Sequence, residues 1–413
     1  MPFEVRPIDA ARHLAWIARR PSVSFLQTPA WAGVKASWCG QSVGWFDGAE
    51  MIGAALVLLR PAPLVHRQLA YVPEGPDLPW DRSTDPARDF LAPLIAYAKS
   101  RKAFALTVGP TVWWKRWETP TVKAGLSAAR KAADAAPNLS DEARRLRAAV
   151  GTGEAADAEG PAADGGAACS VPEKLDDLAP DQVNPVAEAL IESMSRAGWR
   201  APEHQAGFAA GQPQYVFQLP LAGRTEEDLL KGFNQLWRRN IKRAEKNGVE
   251  VTVGTRADLE GFHRIYAETA GRDGFRPRPL SYFEGMWDQM AAEDPGRLTL
   301  YLATVDGELI AATTMVRVGD HAWYSYGAST TAHRDVRGSN AIQWRMIRDA
   351  LAAGCSVYDL RGITDTLDPG DSHAGLIGFK VGTGGRAQSY PGEWTYAINR
   401  PLFAAYQFAL SRR

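Results

Sequence analysis

One arrangement of strands and turns occurs twice in this chain, and it limits the fold more than any other feature. The first copy runs VGWFDGAEMIGAALVLLRP, then QLAYVPEGP, then DFLAPLIAYAKSRKAFALTV. The second runs LYLATVDGELIAATTMVRV, then HAWYSYGAS, then NAIQWRMIRDALAAGCSVYDLRG. Each reads as a strand, an Asp-Gly turn (Asp47-Gly48, Asp306-Gly307), a strand, a tyrosine-bearing strand, a helix and a buried strand. An Asp-Gly pair between apolar runs signals a hairpin, because both central residues need positive φ. Two α/β units of one design are the economical reading, and 413 residues exceed what one typical core holds.

Between Trp117 and Trp199 there is no Phe, Tyr or Trp. The run about 148–172 is almost devoid of side chains able to bury surface, so it is expected to be a disordered loop. Its flank from Thr121 to Arg147 reads as surface helix. Lys plus Arg and Asp plus Glu are balanced at 47 each, so contact with RNA would need a local patch rather than a general field. Three scattered cysteines, Cys39, Cys169 and Cys355, fit a reducing cytoplasm better than a disulfide framework. The opening residues carry acids and no apolar core, which argues against a signal peptide. The longest uncharged apolar run, Met51 to Leu59, is too short to span a bilayer.

From Thr225 to Lys246 one helix is expected, capped by Thr225 and started by Glu226, Glu227 and Asp228. Its end carries Arg238, Arg239, Lys242, Arg243 and Lys246. A helix C-terminus favours cations by itself, and contact with RNA phosphates is the functional alternative. Searches for catalytic signatures come back empty. The seven histidines show no metal-ligand spacing, and there is no nucleophile elbow and no Walker sequence. Neither a metal nor another cofactor is expected. The cluster Gly382 to Gly385 reads as a turn. His333 to Asn340 precedes a helix where an acetyltransferase would hold a coenzyme A pyrophosphate. Arg337, however, stands where that loop needs its first glycine.

Segments spread along the chain resemble the Fem family of aminoacyl-tRNA-dependent peptidyltransferases, which build peptidoglycan cross-bridges. They are Phe25-Leu26-Gln27 with Trp31 and Lys35; Tyr71 to Pro76; Arg239 to Ala244 with Gly248; and Glu268 to Phe275 with Arg278 and Tyr282. They continue with Tyr324 to Ser329; Asn340, Gln343 and Trp344; Tyr358 to Gly362; Gly375; Phe379-Lys380; and Gly392-Glu393-Trp394. The resemblance implies two acetyltransferase-like (GNAT-type) α/β domains with a cleft between them and no obvious helical arm. The first would span 1–210 and be completed by 392–413, and the second would span 211–391.

By the same resemblance, Lys35, Arg278, Tyr282 and an aromatic from Tyr324 or Tyr326 would contact the precursor. Lys380, in the Phe379-Lys380 pair, would stabilise the oxyanion. The basic end from Arg238 to Lys246 would meet the tRNA. The expected partners are aminoacyl-tRNA and a nucleotide-linked or lipid-linked muropeptide, with no DNA. A cytoplasmic monomer, peripherally attached to membrane or not, is implied. One position departs from the family pattern: Gly109 stands where an Asp is usual before the proline, and Asp77 is a candidate substitute. Aminolysis of an activated ester on tRNA is downhill, which accords with the lack of an ATP signature. The alternatives are the same chemistry on a secondary-metabolite amine, a coenzyme-A-dependent N-acetyltransferase, and a partner that binds precursor without catalysis.

Overall fold

The computed structural model describes residues 3–62, 66–135, 171–201, 211–371 and 374–410. The low-complexity run lies outside these residues except for 171–172. Two sheets organise what is described. The smaller has the order β1 (Glu4–Pro7), β2 (Cys39–Asp47), β3 (Glu50–Pro61), β4 (Gln68–Val72), β5 (Ala103–Val108) and β15 (Trp394–Ala397). The larger has the order β7 (Gln182–Val183), β6 (Lys115–Glu118), β14 (Arg386–Ser389), β8 (Tyr215–Pro220), β13 (Val357–Ile363), β12 (His321–Ser329), β11 (Glu308–Val318), β10 (Leu298–Val305) and β9 (Glu250–Val253).

The helices that matter below take numbers in chain order. In the first half they are α1 (Ala10–Ile17), α2 (Ala30–Val34), α3 (Ala92–Ser100), α4 (Thr119–Ala135) and α5 (Pro185–Arg196). The second half adds α6 (Glu226–Gly232), α7 (Gln235–Lys246), α8 (Leu259–Asp273), α9 (Leu280–Glu293), α10 (Gly338–Ala352), α11 (Ala374–Val381) and α12 (Arg400–Leu410).

The repeated pattern folds as the sequence implies. Hairpin β2–β3 leads to β4, α3 and a parallel β5, and hairpin β10–β11 leads to β12, α10 and a parallel β13. At Asp306-Gly307 both turn residues have positive φ, 50° and 78°. At the other hairpin Asp47 stays in the strand opposite Glu50. The turn there is Gly48-Ala49, and only Gly48 needs positive φ.

Two expectations need correction. Lys115–Glu118 and Gln182–Val183, placed by the sequence in the first unit, pair in the larger sheet through β14. Trp117 is fully buried there and caps that sheet's core, which a solvent-facing linker could not do. The single helix from Thr225 to Lys246 is two helices. Thr225 and Asp228 form the expected capping box, but Phe233 turns extended and the Asn234 side chain caps a second start by accepting from the Trp237 N–H.

The two sheets are joined by a continuous apolar cluster. Phe25, Trp31, Leu56 and Leu58 from the first unit pack with Met286, Met290, Val316 and Trp323 from the second. Helix α2 approaches α9 closely because Gly33 has no side chain. A Cβ there would lie 2.1 Å from Gln289 Oε1. The Ala30 N–H donates to Glu293 Oε2 at 2.7 Å, and Arg297 pairs with the same carboxylate at 3.1 Å. Truncating one large side chain of this cluster costs about 3–5 kcal/mol.

Candidate active site between the two sheets

The local origin of the site is the sequence Asp359-Leu360-Arg361-Gly362 in β13. The Asp359 carboxylate accepts from the Arg361 N–H at 2.6 Å, an Asx-type bond that turns the backbone. Arg361 takes a left-handed φ of 63°, and pairing with β8 shifts register between Asp359 and Gly362. The strand is irregular there, and the carbonyls of Arg361 and Gly362 are the ones that meet the lysine. Both accept from Lys380 Nζ, at 3.3 and 2.6 Å.

Lys380 is 3% exposed at the end of α11. Burial lowers its pKa to about 7, which the Asp359 carboxylate opposes and Arg361 reinforces. Its third N–H has no partner among the described residues and can donate to a ligand. Asp359 itself is deeply buried. Burial pushes its pKa up, but His321, Arg361 and Gln218 hold it below the usual carboxylate range. Gln218 donates to it at 3.0 Å, and His321 Nε2 lies 3.5 Å away.

Phe379 fixes the lysine's neighbourhood from the other side. Its carbonyl accepts from Trp237 Nε1 at 2.7 Å, and the two rings lie 4.6 Å apart. The glycine cluster that follows is a tight turn, as expected, with a packing reason. A Cβ at Gly382 would lie 2.3 Å from the Trp237 ring, and one at Gly384 would lie 2.4 Å from the Gly232 carbonyl. The start of the basic helix α7 is thereby held on the lysine's own turn.

The five basic residues of α7 do not behave alike. Arg238 turns back and donates to the carbonyls of Leu230, Lys231 and Phe233, closing the end of α6. Arg243 meets Asp335 at 3.4 Å at the surface. Arg239, Lys242 and Lys246 are exposed.

A second group forms where Lys35 of the first unit meets residues of the second. The Lys35 ammonium lies 6.0 Å from the Tyr282 ring centroid and 5.4 Å from that of Trp31. The Arg278 guanidinium lies 5.3 Å from the same Tyr282 ring. The Tyr282 hydroxyl is 3.0 Å from that of Tyr326. Four of the five expected precursor contacts therefore meet around one aromatic ring. Lys35 has its pKa lowered by burial and then by facing Arg278. Two cations held together in this way invite an anion.

Tyr324 is the one left out. A bulge between Thr314 and Met315 breaks the strand alternation, so Tyr324 packs with the core under α10 while Tyr326 faces Tyr282. The Tyr324 hydroxyl closes over Gly327, where a Cβ would lie 2.2 Å from it. Burial raises its pKa to about 12.

The carboxylate missing at Gly109 has a visible neighbour. A Cβ on Gly109 would lie 3.4 Å from Glu393 Cγ and 3.8 Å from Glu393 Oε1. A Cβ on Gly211 would lie 2.7 Å from Glu393 Oε2. The Glu393 carboxylate thus sits in a notch walled by two glycines and accepts a short hydrogen bond from the Tyr71 hydroxyl. Burial pushes its pKa above the ordinary glutamate value, against the bonds from Tyr71 and the Gln212 backbone. Asp77, the substitute suggested by the sequence, is bound elsewhere. It accepts from Trp16 Nε1 at 2.6 Å and pairs with Arg20 at 2.9 Å.

Glu74 ties the two units together by accepting from Arg361 at 2.8 Å and from the Ser24 hydroxyl at 2.5 Å. Sequence reasoning gave Glu393, Glu74 and Tyr71 no role. They sit in matched segments, but only the folded chain brings them to Gly109 and Arg361. Arg337 takes a left-handed φ of 66° at the start of α10, so the loop keeps a glycine-like backbone while carrying a side chain.

Comparison with known proteins agrees with this fold. The crystal structure of FemX, 18% identical, superposes with a TM-score of 0.72 over 97% of this chain and 99% of its own. A lipid II:glycine glycyltransferase of Staphylococcus epidermidis is 21% identical over 97% of this chain and 94% of its own. The protein of that name from Staphylococcus aureus is 23% identical over 46% of this chain and 61% of its own. A family model described as the FemAB family matches residues 8–135, 171–308 and 303–411. With nearly all of its described length matched, and with the α/β fold expected of it, the chain belongs to the FemAB family.

Proposed function

We propose that the protein transfers an aminoacyl group from aminoacyl-tRNA to an amine of a peptidoglycan precursor's stem peptide. The observation that carries this reading is two unlike charged groups near the junction of the two sheets, where Glu74 of the first unit pairs with Arg361 of the second at 2.8 Å. One is the paired cations Lys35 and Arg278 over Tyr282. The other is Lys380, buried and held by two carbonyls with a donor left over. The activity for which the staphylococcal relatives are named, glycyl transfer to lipid II, is the same class of reaction.

The cations suit the phosphates of a nucleotide-linked or lipid-linked precursor, and the tyrosines suit its sugar and peptide. The acceptor amine attacks the ester carbonyl carbon of the donor. A C–N bond forms, negative charge develops on the carbonyl oxygen, and the protonated Lys380 stabilises it. Glu393, whose raised pKa makes it the better base, takes the proton lost by the amine. As the C–O bond to the ribose breaks, Glu393 gives that proton to the departing ribose oxygen, which leaves as the hydroxyl, and the carboxylate is restored. The exposed Arg239, Lys242 and Lys246 lie on the helix fixed to the Lys380 turn, which suits them to donor phosphates.

The test is transfer from a mixture of charged tRNAs to nucleotide-linked and lipid-linked precursors, followed by mass. Mass addition that stops after ribonuclease treatment is the expected outcome. Ribonuclease-resistant addition, or addition that responds to acetyl-coenzyme A, overturns the reading.

A further inference from the structure

Far from the glycine notch, at the other end of β4 and β5, the surface is cationic in a molecule whose charges balance overall. Four stretches meet there: 60–62, 66–69, 99–104 and 399–410. They contain no Asp or Glu, yet they carry Arg60, His66, Arg67, Lys99, Arg101, Lys102 and Arg400. All seven are exposed. None forms an ion pair among the described residues.

Backbone contacts bring these stretches together. The Gln68 N–H donates to the Lys102 carbonyl at 3.2 Å, and the Gln68 side chain donates to the Arg101 carbonyl at 3.0 Å. Phe403 of α12 packs with Phe104 and Leu69. His66, Arg67, Lys102 and Leu402 line an open depression of about 470 Å³. The apolar residue of the lining is Leu402, and Phe408 on the same helix is 59% exposed.

We propose that this face binds the anionic headgroups of a phospholipid bilayer. Position and composition both favour a bilayer over RNA. The face joins the acceptor wall through Arg60, whose guanidinium lies 5.6 Å from the Trp38 ring. The Trp38 N–H donates to the Lys35 carbonyl at 2.7 Å. The location rests on the reading of Lys35 as a contact to precursor phosphates. In a lipid-linked precursor those phosphates lie at headgroup level, so a surface continuous with Lys35 meets the headgroups. Apolar side chains set among cations suit the acyl boundary of a membrane, where each nearby Lys or Arg adds attraction to anionic lipid.

The experiment sediments the full chain, without substrate, with vesicles of phosphatidylcholine alone and of phosphatidylcholine with phosphatidylglycerol. The expected result is binding to the anionic vesicles only, weakening as salt rises. The variant Arg67→Glu/Arg101→Glu/Lys102→Glu should bind at least about a hundredfold more weakly. Its thermal unfolding should match the parent's, because the three side chains are exposed. Its transfer to a nucleotide-linked precursor should be unchanged, while transfer to a vesicle-embedded precursor falls. Equal binding of the parent to both vesicles, or undiminished binding of the variant, overturns the proposal. So does a variant that loses charged tRNA and keeps vesicles. Vesicle binding is read without catalysis, so failure of the transferase reading leaves it standing.

Discussion

The two copies of the strand–turn–strand pattern fold alike and then part at one place. In the first, β4 and β5 stay paired from Gln68 to Val72, and Gly109 continues the contact by donating to Val72. In the second, β12 and β13 pair only over His321 to Trp323, after which each strand goes its own way. The difference lies in Asp359. Its carboxylate captures the Arg361 N–H where the register of β13 shifts, and the next two carbonyls seat Lys380. The closed copy contributes a wall of fixed side chains, namely Lys35, Glu74 and, through β15, Glu393. The opened copy contributes the buried cation. Duplicated folds thus need not share chemistry: one hydrogen-bonded side chain in a strand accompanies a seat for a buried cation that the twin lacks.

If the opened copy carries the reaction, the largest effect should come from its lysine. Lys380→Met should lower turnover by on the order of a hundredfold or more, with precursor binding nearly intact. A loss of binding at unchanged turnover would make Lys380 an anchor and remove the contrast. Its pH behaviour sharpens the test. The pKa is lowered from the ordinary lysine value to about 7, so the cation exists below that and is lost above. The free-enzyme profile of kcat/KM should accordingly fall as pH rises through about 7. In Lys380→Arg, any residual activity should lack that fall, because guanidinium stays charged.

The closed copy is tested next. Glu393→Gln should slow single-turnover transfer by on the order of a hundredfold, within the range for general base catalysis. Adding Gly109→Asp should recover part of the loss, since its Cβ would lie 3.4 Å from Glu393 Cγ. An undiminished rate in Glu393→Gln would leave that carboxylate a structural partner of Tyr71. A smaller effect belongs to the cationic pair. Lys35→Ala and Arg278→Ala should each weaken binding of intact precursor by roughly 1–3 kcal/mol, and should leave the phosphate-free stem peptide unaffected, by calorimetry. Equal losses with both ligands would assign them to the peptide or the fold. The smallest effect is at the surface. Arg239→Ala with Lys242→Ala should reduce donor affinity and flatten its salt dependence by about two charges, read from binding at several salt concentrations. Arg238→Ala should act on stability instead, because its guanidinium closes α6.

The sequence by itself determined the repeated unit, both hairpins, the capping box at Thr225 and the family. The first three rest on residues close in the chain, where turn geometry, strand alternation and side-chain capping act over a few positions, and the family rests on segments spread along it. It also singled out Lys35, Arg278, Tyr282 and Lys380, but only by resemblance, since no spacing marks them. Tertiary structure decided the rest. It put Tyr326, and not Tyr324, beside Tyr282 through a bulge that no local pattern announces, and it drew two strands of the first half into the second sheet. It broke the basic helix at Phe233 and used Arg238 to close the preceding turn. It set Glu393 beside Gly109, at the far end of the sequence from the position it adjoins. The physical reason is common to all four: pairing across sheets and burial at their junction depend on contacts between distant residues, whose partners a linear pattern does not name.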